Sequence, residues 1–96
     1  MTVYLIAEIN LEDRETYAKY EAGFGEVFAK YNGEMLAVEE NPEVLEGDWP
    51  HWRTVLIQFP SKEEAMAWYR SDEYQAIAQF RFQSSSANAA LIHGLE

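Results

Sequence analysis

Residues 53–59 have the sequence RTVLIQF, a run of β-branched and aromatic residues that favours a strand. Side chains alternate between the two faces of a strand, so Val55, Ile57 and Phe59 share one face while Leu56 lies on the other. Both faces therefore carry apolar side chains. A strand with a single buried face would instead alternate apolar with polar residues. We expect this strand to be packed on both sides.

Residues 3–9, with the sequence VYLIAEI, repeat this two-faced pattern and predict the first strand. A helix follows, because aromatic and apolar residues recur at three- and four-residue steps, the spacing of one helix face. These residues are Tyr17, Tyr20, Phe24, Val27, Phe28 and Tyr31. Asp13 is suited to be the N-cap of the helix, and Gly33 to be the left-handed residue just past its end.

Capping and turn residues predict the remaining elements. Ser61 with Glu64 forms a capping box that begins the second long helix, and Asp72 with Gln75 predicts the cap of a further short helix. The other expected elements are a strand over 35–38, a short hairpin arm over 44–46, a polar loop over 83–86 and a last strand over 87–95. The order strand, helix, strand, strand, helix, strand is an α+β arrangement, which we expect to be one domain spanning residues 1–96.

Acidic residues dominate the charge of the chain, because 17 Asp and Glu stand against 7 Lys and Arg and give a formal net charge of -10. Such a chain repels nucleic-acid phosphates and anionic membranes, so neither is an expected partner. The absence of cysteine excludes disulfides and thiolate chemistry and is compatible with the cytoplasm. The first residues lack the positive charge and the length of a signal peptide, and no apolar run is long enough to span a membrane. We expect a cytoplasmic protein.

The two long helices can cover only one face of the sheet, although both faces of its strands are apolar. The uncovered face is expected to pack against another sheet. In a chain of 96 residues that sheet has to come from a second copy. The strand pattern therefore predicts a homodimer.

Several segments, in order and at consistent spacing, resemble one bacterial protein family. They are Leu45-Glu46-Gly47-Asp48-Trp49-Pro50, Ile57-Gln58-Phe59-Pro60-Ser61, Ala65, Trp68-Tyr69-Arg70-Ser71, Glu73-Tyr74-Gln75 and Arg81. The family is labelled domain of unknown function 1330 (DUF1330), and the resemblance runs over nearly the whole chain. It implies a ferredoxin-like βαββαβ fold with an antiparallel sheet, related to the dimeric α/β-barrel proteins, in which two sheets pack face to face. Two positions depart from the family pattern, since Gln58 stands where Glu is usual and Asp72 where Pro is usual.

Arg53 and Arg81 are the main candidates for ligand binding. Arg53 shares a strand face with apolar residues, and Arg81 continues the apolar side of the last helix. An unpaired cation on an apolar face is costly, so each guanidinium needs a partner unless only its stem is buried. The partner is either a ligand carboxylate held by two parallel hydrogen bonds, or an internal acid such as Glu46, Glu8 or Asp48.

The aromatic residues exceed what the core of a small domain needs, which favours a ligand pocket with apolar walls and polar tips. The candidates are Tyr17, Tyr20, Trp68 and Tyr74, with plain core packing as the alternative. His51 and Tyr69 are weaker candidates for catalytic proton transfer. The two histidines are isolated and lack ligand spacing, so neither a metal site nor a cofactor is expected.

Three functions remain open on these features. The first is a cofactor-free homodimer that binds a small, partly apolar, anionic molecule. If it is an enzyme, the resemblance to dimeric α/β-barrel proteins implies proton transfer or oxygenation. The second is a non-catalytic ligand-binding or regulatory module, and the third is a purely structural dimer. The family label supplies no reaction, and if the family uses the acid that Gln58 replaces, this chain lacks it.

Overall fold

The computed structural model describes residues 1–49 and 52–95. Its strands are β1 (Val3–Leu11), β2 (Glu34–Glu39), β3 (Arg53–Phe59) and β4 (Ser85–His93), and its helices are α1 (Arg14–Phe28), α2 (Lys62–Tyr69) and α3 (Asp72–Ser84). The strands form an antiparallel sheet in the order β2-β3-β1-β4, and the helices pack on one face of it, here called the inner face. The predicted α+β, ferredoxin-like fold is confirmed. The helix expected to be long, α2, has 8 residues, and the helix expected to be short, α3, has 13.

Each helix begins after a residue whose side chain accepts a hydrogen bond from a backbone N–H of the first turn. Oδ1 of Asp13 accepts from the backbone N–H of Thr16 at 3.2 Å, and the hydroxyl of Thr16 donates back to Oδ2 at 2.7 Å. Ser61 caps α2 and Ser71 caps α3 in the same way. The predicted caps at Asp13 and Ser61 are confirmed.

The core between the helices and the inner face is mainly aromatic. Phe59 and Trp68 are fully buried, with ring centroids 5.5 Å apart. Phe28 meets these two rings edge-on, at 6.0 Å and 5.7 Å. On its other side Trp68 contacts Tyr74, with centroids 4.3 Å apart. Trp68 and Tyr74 also line a cavity, so the aromatic cluster extends from the tightly packed core to the cavity wall.

A β-bulge interrupts β2 at Leu36, because the pairing with β3 shifts register between Met35 and Ala37. Because of the extra residue, the side chains that follow Leu36 point to the opposite faces from those that strict alternation would give them. Val38 consequently pairs with Val55 and lies on the inner face, as Met35 does. Without the bulge, Val38 would lie on the opposite face.

The opposite face of the sheet, here called the outer face, carries Tyr4, Ile6 and Leu56, which are half-buried. Ile92 pairs with Tyr4 at the β4 edge and is 45% exposed. This face is apolar and no described helix packs on it, as the strand pattern predicted. In the part of the chain that the structure describes, no helix is both long and apolar enough to cross a membrane.

Gly33 does not adopt the left-handed conformation predicted for it, since Gly47 is the described residue with a positive φ, of 76°. α1 ends earlier, with Ala29 as a C-cap in the right-handed helical conformation. A Cβ at position 33 would lie 2.6 Å from the ring of Phe28 and 2.7 Å from that of Phe59. Glycine is therefore required there by close packing and not by the backbone conformation.

Three predicted boundaries are also wrong. Residues 44–46 form no hairpin arm, because no described strand pairs with them. Ser71 is the cap of α3, and Asp72 is instead the first residue within the helix. The polar loop expected over 83–86 is absent, because α3 passes directly into β4. The hydroxyl of Ser85 donates to a carbonyl of the last helical turn at 2.6 Å, which satisfies this polar side chain without a loop.

Candidate functional site

A cavity of about 340 Å³ lies between the helices and the inner face of the sheet. Its lining includes every residue that the sequence suggested for ligand binding, namely Tyr17, Tyr20, Arg53, Trp68, Tyr74 and Arg81. Tyr69, one of the two candidates for proton transfer, lines it as well. The other candidate, His51, lies outside the described residues. The fold thus brings together residues from β3 and all three helices, and their role in binding stays a prediction.

The roof and floor of the cavity differ in chemistry. Tyr17 and Tyr20 of α1 project from the roof because their spacing places both on the helix face that meets the sheet, and they are 3% and 7% exposed. The floor is formed by inner-face residues such as Ala7, Val55 and Ile57, which are apolar. Polar groups therefore enter the cavity from the helices and from its rim, and the sheet supplies an apolar surface.

Arg81 in α3 is a buried cation that is only 9% exposed. Its guanidinium carbon lies 4.8 Å from the ring centroid of Phe82 and 5.9 Å from that of Tyr20. Burial lowers the pKa of Arg81, but the neighbouring hydroxyls of Tyr74 and Tyr20 outweigh this effect and leave the pKa above its ordinary value. No carboxylate within residues 1–49 and 52–95 forms an ion pair with Arg81. It therefore brings to the cavity wall a positive charge that no described acid neutralises.

Arg53 in β3 is, by contrast, paired. Its Nη1 donates to Oε2 of Glu40 at 2.5 Å, and its Nη2 lies 3.4 Å from Oε2 of Glu21. Neither acid is among the three that the sequence suggested, because the bulge at Leu36 brings Glu40 into line with Arg53. Both carboxylates are about half exposed, so this ion-pair cluster marks the rim where the cavity meets solvent. Of the two alternatives for Arg53, a ligand carboxylate or an internal acid, the structure shows the internal acid. The partners are Glu40 and Glu21.

The hydroxyls of Tyr20 and Tyr74 form a buried hydrogen bond of 2.9 Å. Burial raises the pKa of Tyr20 far above its ordinary value of 10.0, and the bonded hydroxyl of Tyr74 raises it further. Burial also raises the pKa of Tyr17, although the nearby Arg53 opposes the shift. Tyr17 and Tyr20 are therefore neutral phenols at physiological pH, which donate hydrogen bonds and do not act as bases.

Two further donors are buried without a hydrogen-bond partner among the described residues: Nε1 of Trp68 and Nε of Arg53. A buried donor left without an acceptor costs about 1–3 kcal/mol. Such groups in a native structure call for an explanation, which is often a ligand or an ordered water. Both residues line the cavity, but these two nitrogen atoms are covered by protein atoms and do not themselves face it.

Reasoning from the sequence missed Glu21 and Gly25, which also line the cavity. Glu21 follows Tyr17 by four residues and therefore lies on the same helix face, a signal that identifies it in retrospect. Gly25 lies at the exposed edge of α1, and a Cβ built there meets nothing within 4 Å. Open space beside a helical glycine gives no packing signal in the sequence.

The site is suited to stabilising negative charge. Of the described residues lining the cavity, Glu21 is the only carboxylate, and it lies against Arg53. The other polar groups that face the cavity are guanidinium and phenol donors. Within the described residues, no group of three or more His, Asp and Glu side chains is placed to hold a metal ion. The chemistry that these groups offer is hydrogen-bond donation to a carboxylate, an enolate or another oxyanion.

Several solved structures share this fold. A protein of unknown function from Rhodopseudomonas palustris has a TM-score of 0.81 at 18% identity, covering 99% of this chain and 83% of that one. SnoaB, a cofactor-independent oxygenase from Streptomyces nogalater, has a TM-score of 0.63 at 13% identity, covering 99% and 94%. A dimeric ferredoxin-like protein of unknown function from Thermobifida fusca has a TM-score of 0.65 at 12% identity, covering 96% and 90%. At these identities the likeness shows the fold alone.

Sequence comparison gives one family. The profile described as a domain of unknown function, DUF1330, matches residues 2–95, which confirms the resemblance drawn from the sequence. A search of curated proteins found no match.

Proposed function

The chain belongs to the DUF1330 family, and we propose that this member binds a small organic anion with an apolar body in the cavity between its helices and its sheet. The observation that carries the proposal is Arg81, a buried guanidinium on the cavity wall with no carboxylate partner among the described residues. Among the described residues its charge meets tyrosine hydroxyls and aromatic rings and no anion. A ligand anion would supply the missing negative charge and form charge-assisted hydrogen bonds with the guanidinium.

The remaining polar groups favour the same kind of ligand. Tyr17 and Tyr20 are neutral phenols that line the cavity. A phenol can donate a hydrogen bond to an anionic oxygen, whereas a cationic ligand would be repelled by Arg81.

The volume and walls of the cavity set limits on the rest of the ligand. About 340 Å³ is near the lower end of the range of roughly 300–1,000 Å³ for small-molecule sites. Aromatic rings and the aliphatic floor enclose most of this space. The fitting ligand is therefore compact and apolar apart from one anionic group.

A pair of fluorescent probes with nearly the same apolar body tests this proposal: anilinonaphthalenesulfonate, which carries a sulfonate, and N-phenylnaphthylamine, which does not. Arg81→Met keeps an apolar stem against Phe82 and removes the charge. We expect it to weaken binding of the anionic probe by roughly tenfold or more and to leave the neutral probe unchanged. Arg70→Met, at an exposed position with no described ion pair, is the matched control and should change neither affinity.

Gly25→Leu locates the binding event. The new side chain would occupy the open space at the cavity edge without a clash, so both probes should bind less well while the unfolding midpoint is maintained. If Arg81→Met and Arg70→Met bind the anionic probe as wild type does, Arg81 does not hold the anion and the proposal is wrong. If Arg81→Met unfolds the protein, the guanidinium is structural and the proposal is equally wrong.

Among the described residues, the protonation states of the cavity tyrosines favour a binding module over an enzyme. General acid–base catalysis needs a group that titrates near the working pH. The pKa values of Tyr17 and Tyr20 are raised away from neutrality, and Glu21 is engaged with Arg53. With the described residues alone, catalysis of the kind named for SnoaB, cofactor-independent oxygenation, would depend on a substrate that supplies its own reactive anion. Product formation from such a substrate, measured against Arg81→Met, distinguishes this alternative from simple binding.

We also propose that the outer face of the sheet forms the interface of a homodimer. Tyr4, Ile6 and Leu56 present an apolar surface that no described helix covers, and one structural relative is a dimeric ferredoxin-like protein. Leu56→Lys would place a charge at the centre of this interface. We expect light scattering at micromolar concentration to give a dimer mass for wild type and a monomer mass for Leu56→Lys. A monomer mass for wild type would contradict the proposal.

A further inference from the structure

A second cavity, of about 220 Å³, lies next to the first. It is bordered by α2 and by strands β1 and β4, and its lining includes Ala65, Met66, Ala90 and Leu91. Apart from the hydroxyl of Tyr69, these side chains are apolar. The second cavity therefore offers space to hydrocarbon and no partner for a charge.

The two cavities have three lining residues in common: Leu5, Tyr69 and Ala89. Leu5 and Ala89 lie on adjacent strands at the inner face and form a floor that continues from one cavity to the other. Tyr69 is the shared residue that comes from the helices, among the residues described. It therefore stands between the cavities above a common apolar floor.

Tyr69 is held in this place by its neighbours. Its ring centroid lies 6.1 Å from that of Trp68 and 5.6 Å from that of Tyr74, both of which line the first cavity. Its carbonyl accepts a hydrogen bond of 2.7 Å from Nε2 of Gln75, which fixes the junction of α2 and α3. The side chain is packed on one side by rings and open on the other to the second cavity.

We infer that Tyr69 limits the length of the ligand, by closing the site occupied next to Arg81 off from an apolar space that would receive a longer hydrocarbon chain. This inference rests on the proposed function, because it takes the anion at Arg81 as one end of the ligand. It assigns to Tyr69 a role in specificity: short amphipathic anions fit, and longer ones meet the ring. Replacing Tyr69 by a small residue would join the two cavities along their common floor.

A series of straight-chain carboxylates, from butanoate to dodecanoate, tests this role by displacing anilinonaphthalenesulfonate. Each methylene buried in an apolar site improves affinity by roughly fourfold. For wild type we expect affinity to rise along the series and then level off at the length that reaches Tyr69. For Tyr69→Ala we expect the rise to continue over further methylenes. In Tyr69→Ala/Met66→Trp, where the indole fills the second cavity, the wild-type limit should return.

The outcomes separate this inference from the proposal beneath it. If Arg81→Met binds the carboxylates as wild type does, or if none of them binds to wild type, the proposed function is wrong. If binding depends on Arg81 but wild type and Tyr69→Ala level off at the same length, the role of Tyr69 is wrong and the proposed function stands. A limit that Met66→Trp does not restore would also overturn the assignment of the second cavity. Should Tyr69→Ala not fold, Tyr69→Leu removes the ring at a smaller loss of packing and is read in the same way.

Discussion

The hydroxyl oxygens of Tyr20 and Tyr74 lie 2.9 Å apart inside the protein, although the two residues are separated by 54 positions in the chain. Their rings meet edge-on with centroids 6.1 Å apart, so α1 and α3 are joined by both an aromatic contact and a hydrogen bond. One hydroxyl proton is used in this bond. The other hydroxyl proton remains available to an acceptor. The contact that joins the two helices therefore also provides a hydrogen-bond donor to the cavity.

A double-mutant cycle on this pair should show strong coupling. Tyr20→Phe leaves the Tyr74 hydroxyl without its partner, and Tyr74→Phe does the converse, so each should lower the free energy of unfolding by about 1–2 kcal/mol. The double variant should lose clearly less than the sum of the two, because the same bond is removed once. Urea unfolding measures all three. Tyr31→Phe, whose hydroxyl has no hydrogen bond within the described residues, is the control; additive losses at Tyr20 and Tyr74 would show that the bond contributes nothing.

The two cavity arginines should respond differently to methionine, because their partners differ. Arg81→Met removes a buried cation whose desolvation is offset by the hydroxyls of Tyr74 and Tyr20, so we expect the stability of the ligand-free protein to change little and to be insensitive to salt. Arg53→Met instead removes ion pairs with the half-exposed Glu40 and Glu21 and should cost at most about 1 kcal/mol, less at high salt. Urea unfolding at low and high salt tests both expectations. A salt-dependent loss in Arg81→Met would mean that the guanidinium has a carboxylate partner.

Gly33 and Gly25 form a matched pair, since neither has a positive φ. Gly33→Ala would drive a methyl group into the rings of Phe28 and Phe59, and overpacking of this kind costs about 1–3 kcal/mol. Gly25→Ala points into open space within α1 and should stabilise the protein by roughly 0.5–1 kcal/mol. Thermal unfolding midpoints are sufficient to see this difference in sign. Equal effects at the two positions would contradict the packing described for Gly33.

Asp13 should contribute to the acid sensitivity of the fold. The hydroxyl of Thr16 and then its backbone N–H donate to the carboxylate and lower the pKa of Asp13 below its ordinary value of 3.8. Because the pKa is lower in the folded state, the stabilisation is fully present above pH 3.8 and is lost as the pH falls through the folded-state pKa. Asn accepts the same hydrogen bond at any pH, so Asp13→Asn should remove this part of the acid loss.

The measurement for Asp13 is the urea midpoint of each protein across the acid range. Wild type should lose more stability than Asp13→Asn as the pH falls below 3.8. Glu43→Gln, which replaces an exposed acid between β2 and β3, should retain the wild-type acid profile. Parallel profiles for wild type and Asp13→Asn would show that the cap does not act through its charge.

The arrangement of the sheet and the members of the cavity wall were predictable because they follow from periodicity. Alternation in residues 53–59 identifies the inner and outer faces, and helical spacing places Tyr17 and Tyr20 on the face that meets the sheet. Once these elements pack, residues on the inner surfaces must meet in one layer. A local pattern therefore carries information about a long-range assembly.

The partner of each arginine and the exact element ends were not predictable from periodicity. Glu40 reaches Arg53 only because of a one-residue bulge, which leaves no mark in the sequence of β2. The demand for glycine at Gly33 comes from rings that lie near it only in the folded chain. Ser71, rather than Asp72, caps α3 because two adjacent residues are both good caps and the tertiary structure selects one of them.

The bulge at Leu36 offsets the pairing of β2 with β3 by one residue. If β2 kept Leu36 and paired regularly, Val38 would turn from the cavity to the outer face, and Glu40 would move out of line with Arg53. Deleting Leu36 would instead remove the bulge and leave Ala37 opposite Leu56 and Val38 opposite Val55. A relative that is one residue shorter here should therefore have a regular β2 with the same inner-face residues, and the cavity rim should be retained.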